Sequence, residues 1–412
     1  MKKTLLFVLA LSVSVLAQSS TAPKFKFDSD WPKLPLPNAW KMGGVTGLAV
    51  DKDDNVWVYD RPNDLRDMEL KAELTPKIAD CCTRPPSMIH IDKAGNVIGS
   101  FDPPQGHGMA VDAKGFVYLG NSVKGMNTVR KYDPKTAQML MAVPRTPETQ
   151  AGGGGDDAEE GPATRQPGRG GPGPTGTFPA QRGGGAGRGG ANQQAAAAAA
   201  AAFLAKYPPT TPMIVGQIEE VRLDEPAREL YAADSAFGGR VMVFDLDTFA
   251  FKRGWGAHGH KLSEIDPSAK ARDYTPGGPF AKEFRGHLTL NISNDGLVYA
   301  ADRAGNRIDV TDKQGNYKTT IPVATFTAGG SAGGVMFSPD KEQKFIYVCD
   351  INNNHVWFID RKTGQTVGQL GSMGENGGQF FGLHMIATDS KGNLYTGEVF
   401  NGERVQRFAP VK

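Results

Sequence analysis

Three of the seven histidines in this sequence share one context, and their spacing is the first feature that could do chemistry. His107, His287 and His384 each open a short apolar run, in GHGMAVD, GHLTLN and LHMIATD. The distances from them to Asn121, Asp302 and Glu398, the acidic or amide residue after the next aromatic run, are 14, 15 and 14 residues. The extra residue in the middle interval fits the Asn294-Asp295-Gly296 turn, whereas a register without it puts Leu288 in place of His287. Three neutral imidazoles brought to one point with a fourth position open make a zinc site that can polarise a carbonyl or activate water. One such histidine alone would read as a ring hydrogen-bonded to its surroundings, and the matching contexts are what favour ligation.

The elements that would position these rings repeat along the chain. Six segments, 47–60, 108–121, 219–234, 288–302, 334–350 and 385–398, share an apolar run, an acidic or Gly-containing turn and an aromatic β run. Five of them are followed by a further strand: VRKYD, RVMVFD, RIDVTD, HVWFID and RVQRF. Period-two apolar patterning with Gly, Asn and Asp at the turns predicts antiparallel strands. The last three units begin at 287, 335 and 384, a step of about 48 residues that suits one four-stranded propeller blade. A blade cannot bury both faces alone, so neighbours stack and the ring closes. The fold class is therefore all-β, a six-bladed β-propeller. The first strand of each blade lines the central channel, and alternate blades of six lie about 120° apart. The three histidines would converge on that axis.

Length, composition and targeting segments frame this ring. The 412 residues carry 46 Lys and Arg against 44 Asp and Glu, and the near-zero charge excludes a phosphate-backbone binder. Lys2 and Lys3 precede an apolar run from Leu5 to Leu16 that ends in a small-x-small site at Val15-Leu16-Ala17, which describes a signal peptide over 1–17. That predicts export to the periplasm or the medium, with no transmembrane segment and a neutral mature chain over 18–412. Within it, 147–206 is predicted as a low-complexity disordered insertion, with 16 Gly between 151 and 190. The alanine run Ala195–Ala202 favours a helix that Pro208-Pro209 stops.

The pattern D-x-x-G-N-L/V-Y-x-x-D/E…N-x-R-I/V, clearest in 293–310 and 389–406, resembles the NHL repeat. With the three histidines, the chain resembles the catalytic domain of the peptidyl-α-hydroxyglycine α-amidating lyases, six-bladed NHL-type propellers. The resemblance implies zinc held by His107, His287 and His384 and lyase chemistry that releases glyoxylate. It also implies a catalytic arginine at Arg61 in VWVYDRPND, whose guanidinium would bind a carboxylate. The family's tyrosine position is Ala236, its methionine position is Gly382, and its acidic calcium ligand is Met385, which leaves calcium open.

Other residues read structurally. His258-x-His260 falls in a loop, and His90 and His355 lie mid-strand. Cys81-Cys82 form either a vicinal disulfide or a reduced metal-binding pair, and Cys349 reads as a buried thiol. Asp51, Asp112 and Asp389 are turn formers, and Arg303-x-x-x-Arg307 could face a ligand, although the repeat uses an arginine there structurally, which is the favoured reading. No hydrolase, phosphate-loop or dinucleotide fingerprint is present. Two functions follow. One is an exported metallo-propeller acting on or binding a small carboxylate-bearing or peptide-derived ligand in the channel. The other is a non-catalytic propeller that binds a peptide, glycan or protein partner on its end face.

Overall fold

Each repeat unit forms one antiparallel four-stranded sheet in the computed structural model, which describes residues 21–121, 127–147 and 190–411. Blade 1 comprises Gly44–Val50, Val56–Arg61, Met88–Ile91 and Val97–Phe101. Blade 2 runs from Gly106–Val111 to Gln138–Ala142, and blade 3 from Gln217–Asp224 to Phe251–Trp255. Blade 4 runs from Leu288–Ile292 to Tyr317–Pro322, and blade 5 from Val335–Phe337 to Gln365–Leu370. Blade 6 takes only three strands from the last unit, Leu383–Thr388, Leu394–Glu398 and Val405–Pro410. Its outer strand is Phe25–Asp28 from the other end of the chain, with Phe25 opposite Pro410 and Asp28 opposite Arg407. This pairing closes the ring and removes an exposed edge from the last blade.

Six hydrophobic clusters hold the ring, one at each blade-to-blade interface. Val45, Leu48 and Val58 of blade 1 meet Met385 and Tyr395 of blade 6, for example. Because both faces of a blade are covered, the second strands are buried along their whole length, as in Val56–Arg61 and Glu229–Ser235. Only the outermost strands alternate with solvent, as in Val97–Phe101.

The repeat's polar residues account for its turns. Asp389 Oδ1 accepts the N–H groups of Lys391 and Asn393, its Oδ2 accepts the Tyr395 hydroxyl, and Gly392 takes φ +86°. Asp51 and Asp112 hold their turns in the same way. The acidic residue after the aromatic run is a second brace. Asp234 accepts the N–H groups of Val215 and Gly216 and pairs with Arg240. Asp302 accepts those of Arg285 and Gly286 and pairs with Arg307. Arg240 and Arg307 are fully buried, which bears out the structural reading of the repeat arginine.

Pro144 to Thr146 and Ile214 hydrogen-bond to each other, so the two ends of the insertion between blades 2 and 3 meet. Disorder over the whole of 147–206 is corrected at its end: Gly190–Lys206 form an α-helix, as the alanine run favours. Residues 148–189 and the predicted signal peptide over 1–17 lie outside the described residues. No helix among the described residues is long and apolar enough to cross a membrane. Cys81 and Cys82 are joined as a disulfide, and Cys349 is a buried thiol that burial pushes up in pKa.

Candidate functional site

The inner strands of four blades carry a β-bulge at matching places, and each bulge re-aims one side chain toward the channel axis. The register shifts between Val45 and Gly47, Gly106 and Met109, Ile218 and Glu220, and Leu383 and Met385. The side chains so released are Thr46, His107, Glu219 and His384. Several of them tie neighbouring blades together. Thr46 Oγ1 donates to the Gly106 carbonyl (2.6 Å), and Thr289 Oγ1 of blade 4 donates to that of Gly333 (2.7 Å).

His107 follows the same pattern and gains a defined tautomer from it. Its Nδ1 lies 2.6 Å from the Glu219 carbonyl oxygen, which can only accept, so Nδ1 carries the proton and Nε2 keeps its lone pair. That Nε2 faces the Nε2 of His384 at 3.3 Å, with the rings inclined at 65°. Two imidazole nitrogens about 2.0–2.1 Å from one tetrahedral ion would be separated by about 3.3 Å.

His287 lies just before its strand, which begins at Leu288, and takes a left-handed conformation with φ +53°. The pairing of Leu288 with Asp302 is thus the register without the extra residue. The ring still reaches the site, since His287, His107 and His384 line one cavity of about 10 Å³ with Glu219, Thr289 and Arg303. That volume suits a single water-sized occupant. His287 Nδ1 contacts Glu219 Oε1 at 3.3 Å. One residue therefore orients two histidines, His107 through its carbonyl and His287 through its carboxylate. Burial alone would raise the Glu219 pKa. The contact with His287, with the charge of Arg303 farther off, outweighs burial and holds it below the ordinary glutamate range. Among the described residues, no three His, Cys, Asp or Glu side chains form a grouped metal-holding set, because His287 engages Glu219 while His107 and His384 meet.

Glu219 joins the site without having been singled out for it, and Arg303 takes the ligand-facing place that the structural use of the repeat arginine argued against. Glu219 opens the third unit, where two others have histidine, and only strand pairing reveals that its place is equivalent. Arg303 and Arg307 divide their roles, with Arg303 lining the cavity and Arg307 buried in the blade. Arg61 ends the second strand of blade 1, where its guanidinium pairs with Asp64 at 2.9 Å, and it does not line the histidine cavity. Gly382 takes φ +82°, and a Cβ there would fall 2.3 Å from the Val399 carbonyl, so no side chain fits. Met385 packs in the core between blades 6 and 1. Ala236 sits in a turn with φ +49° and brings no hydroxyl. The remaining four histidines are structural: His90 stacks on Trp57 at 3.9 Å, His258 Nε2 meets Arg307 Nη1 at 2.9 Å, His260 contacts Glu283, and His355 contacts the Gly371 carbonyl.

Glu220, next in the strand, is fully buried beside Arg222 (2.9 Å). Burial pushes its carboxyl up from 4.5 to about 7, against the pull of Arg222. The folded chain therefore holds this proton to higher pH than the unfolded one. Its stabilising contribution is full below 4.5 and is lost as pH rises to about 7. Glu220→Gln is expected to shrink the difference in thermal midpoint between about pH 5 and about pH 8. A variant with the wild-type pH dependence would contradict this.

No family model and no curated protein matches the chain. Among solved structures, a structural genomics protein of unknown function from Bacteroides thetaiotaomicron aligns with 90% of this chain and 70% of its own. The TM-score is 0.50 and the identity 14%. Hydrazine synthase from Kuenenia stuttgartiensis aligns with 86% of this chain and 74% of its own, at a TM-score of 0.43 and 14% identity. At 14% identity the first likeness extends to the fold alone, and the six four-stranded blades make the chain a six-bladed β-propeller.

Proposed function

We propose that this chain is an exported NHL-type metallo-propeller whose channel site, built on His107, His287 and His384, holds one zinc ion and takes a small carboxylate-bearing or peptide-derived ligand. The observation that carries this reading is the pair of Nε2 atoms at 3.3 Å, with His107 held in the ligating tautomer by Glu219. A carbonyl or carboxylate behind a ligating ring is the usual outer support of a histidine metal site, and Glu219 offers the first to His107 and the second to His287. When bound, zinc supplies Lewis acidity toward a ligand oxygen. The protein's own contributions are the fixed tautomers, the positive charge of Arg303 at the cavity wall, and a closed ring that limits water.

Amidating-lyase chemistry is the finer form of the proposal. The absent hydroxyl at Ala236 and the forced glycine at Gly382 count against the family mechanism, and the pairing of Arg61 with Asp64 counts against its carboxylate-binding role. The second reading, a non-catalytic propeller binding a partner on its end face, is favoured by one observation. The 3.3 Å contact also suits an N–H···N hydrogen bond between neutral imidazoles.

Elemental analysis of the purified protein separates the two. About one zinc per chain is expected, with loss of most of it in His107→Ala and His384→Ala. Trace zinc that neither substitution changes would end the metal reading. If zinc is present, glyoxylate release from an α-hydroxyglycine peptide tests the lyase, and release no faster than the metal-free background assigns the site to binding.

A further inference from the structure

A second, larger pocket opens beside the histidine cavity and shares Glu219 and His287 with it. Its volume is about 300 Å³, the lower end of the range for small-molecule sites. Arg272 and Arg285 stand in its wall with Gln217 and Phe237. Both arginines come from the segment that links blade 3 to blade 4, and neither has a counterpart in the repeat. Backbone carbonyls hold them in place: Arg272 donates to those of Ala236 and Phe237, and Arg285 to that of Tyr274. Among the described residues neither forms an ion pair, and the Arg272 Nε is buried without a partner. Burial works against the Arg272 charge and lowers its pKa.

A partly buried guanidinium without a counter-ion costs free energy, and two in one pocket call for an anion. The carboxylates whose charge reaches Arg272, those of Glu283, Asp302, Asp234 and Asp266, lie outside the pocket wall, and the one carboxylate that lines it, Glu219, already contacts His287. A carboxylate supplies one negative charge and two coplanar oxygens that match the guanidinium fork. A phosphate dianion would bring a second negative charge toward Glu219.

We propose that Arg272 and Arg285 form the carboxylate-binding subsite of this propeller, so that the ligand is a small monocarboxylate anchored at the pocket wall with its opposite polar end toward the histidine cavity. This rests on the reading of the histidine cavity as the functional site, and it moves the carboxylate contact from Arg61 to residues outside the repeat. Phe237 gives the subsite one apolar wall. The Phe237 ring packs on Phe203 of the insertion helix (5.8 Å), so the helix borders this pocket.

The test is calorimetric titration of the full mature chain with glycolate and hippurate, with hippuramide as the neutral counterpart of hippurate, and with inorganic phosphate. At least one carboxylate is expected to bind, and hippuramide to bind at least about tenfold more weakly than hippurate. Arg272→Gln and Arg285→Gln are each expected to weaken carboxylate binding by about 10- to 100-fold. Gln217→Glu covers the case in which an arginine variant misfolds: it adds a negative charge at near-constant shape and should weaken binding by at least about tenfold. The proposal is overturned if neither carboxylate binds, if hippuramide binds as well as hippurate, if phosphate binds more tightly than both carboxylates, or if folded variants bind like the wild type. Failure here is distinct from failure of the zinc reading. Arginine-dependent binding to a zinc-free protein would sink only the metal, and a zinc-loaded protein indifferent to these substitutions would sink only the subsite.

Discussion

A chain that begins at Asp30, lacking the strand Phe25–Asp28, is expected to unfold with about 2–4 kcal/mol less stability than the full chain. That strand is the fourth of blade 6, and it joins segments separated by almost the whole sequence. Phe25 packs against Tyr347 (5.9 Å) and Phe358 (5.7 Å), and Phe27 against Phe408 (6.0 Å). Fully burying one phenylalanine contributes about 1.5–3 kcal/mol, and since both rings are only partly buried, about 1–2 kcal/mol from each sets the expected range. Deletion also bares the edge of Val405–Pro410, a template for pairing with another chain. Urea unfolding should show a lower midpoint, and light scattering should show association at concentrations where the full chain stays dispersed. An unchanged midpoint with no association would mean that the ring does not close through this strand.

The second large effect concerns Glu219. Glu219→Gln leaves the main-chain carbonyl that fixes His107 but removes the carboxylate charge that orients His287. Zinc affinity, measured by competition with a chromophoric chelator, is expected to fall by about 10- to 100-fold, the usual effect of losing an outer-shell partner. His107→Ala should lower it further, since it removes a ligand and not its support. Equal affinity in Glu219→Gln and the wild type would remove Glu219 from the site.

The blades were legible in the sequence because their determinants are local. The Asp389 turn with Gly392, the aromatic run at Tyr395 and the buried brace at Glu398 lie within ten residues of one another, and the same grammar recurs in the other units. The convergence of His107, His384 and His287 on one cavity was legible for the same reason.

What stayed hidden was non-local. The third strand of blade 1, Met88–Ile91, follows a long irregular connection after Arg61 that breaks the period. The closing strand Phe25–Asp28 has no repeat partner nearby. The bulges that turn His107, Glu219 and His384 inward are properties of strand pairing, so Glu219 could not be matched to the histidines by spacing. The departure of His287 from its strand, with φ +53°, was visible only as an extra residue. Arg272 and Arg285 lie in a connection where no periodicity marks them. Arg61 was found by its context, yet its neighbour Asp64 claims it.

The central claim is histidine ligation of zinc in the channel, and X-ray absorption at the zinc edge on the purified protein tests it most directly. The account predicts a first shell of three nitrogens at about 2.0–2.1 Å with the outer scattering of imidazole rings, and its loss in the His107→Ala, His384→Ala double variant. A shell of sulfur at about 2.3 Å, a shell of oxygen without imidazole scattering, or a spectrum unchanged in the double variant would contradict it.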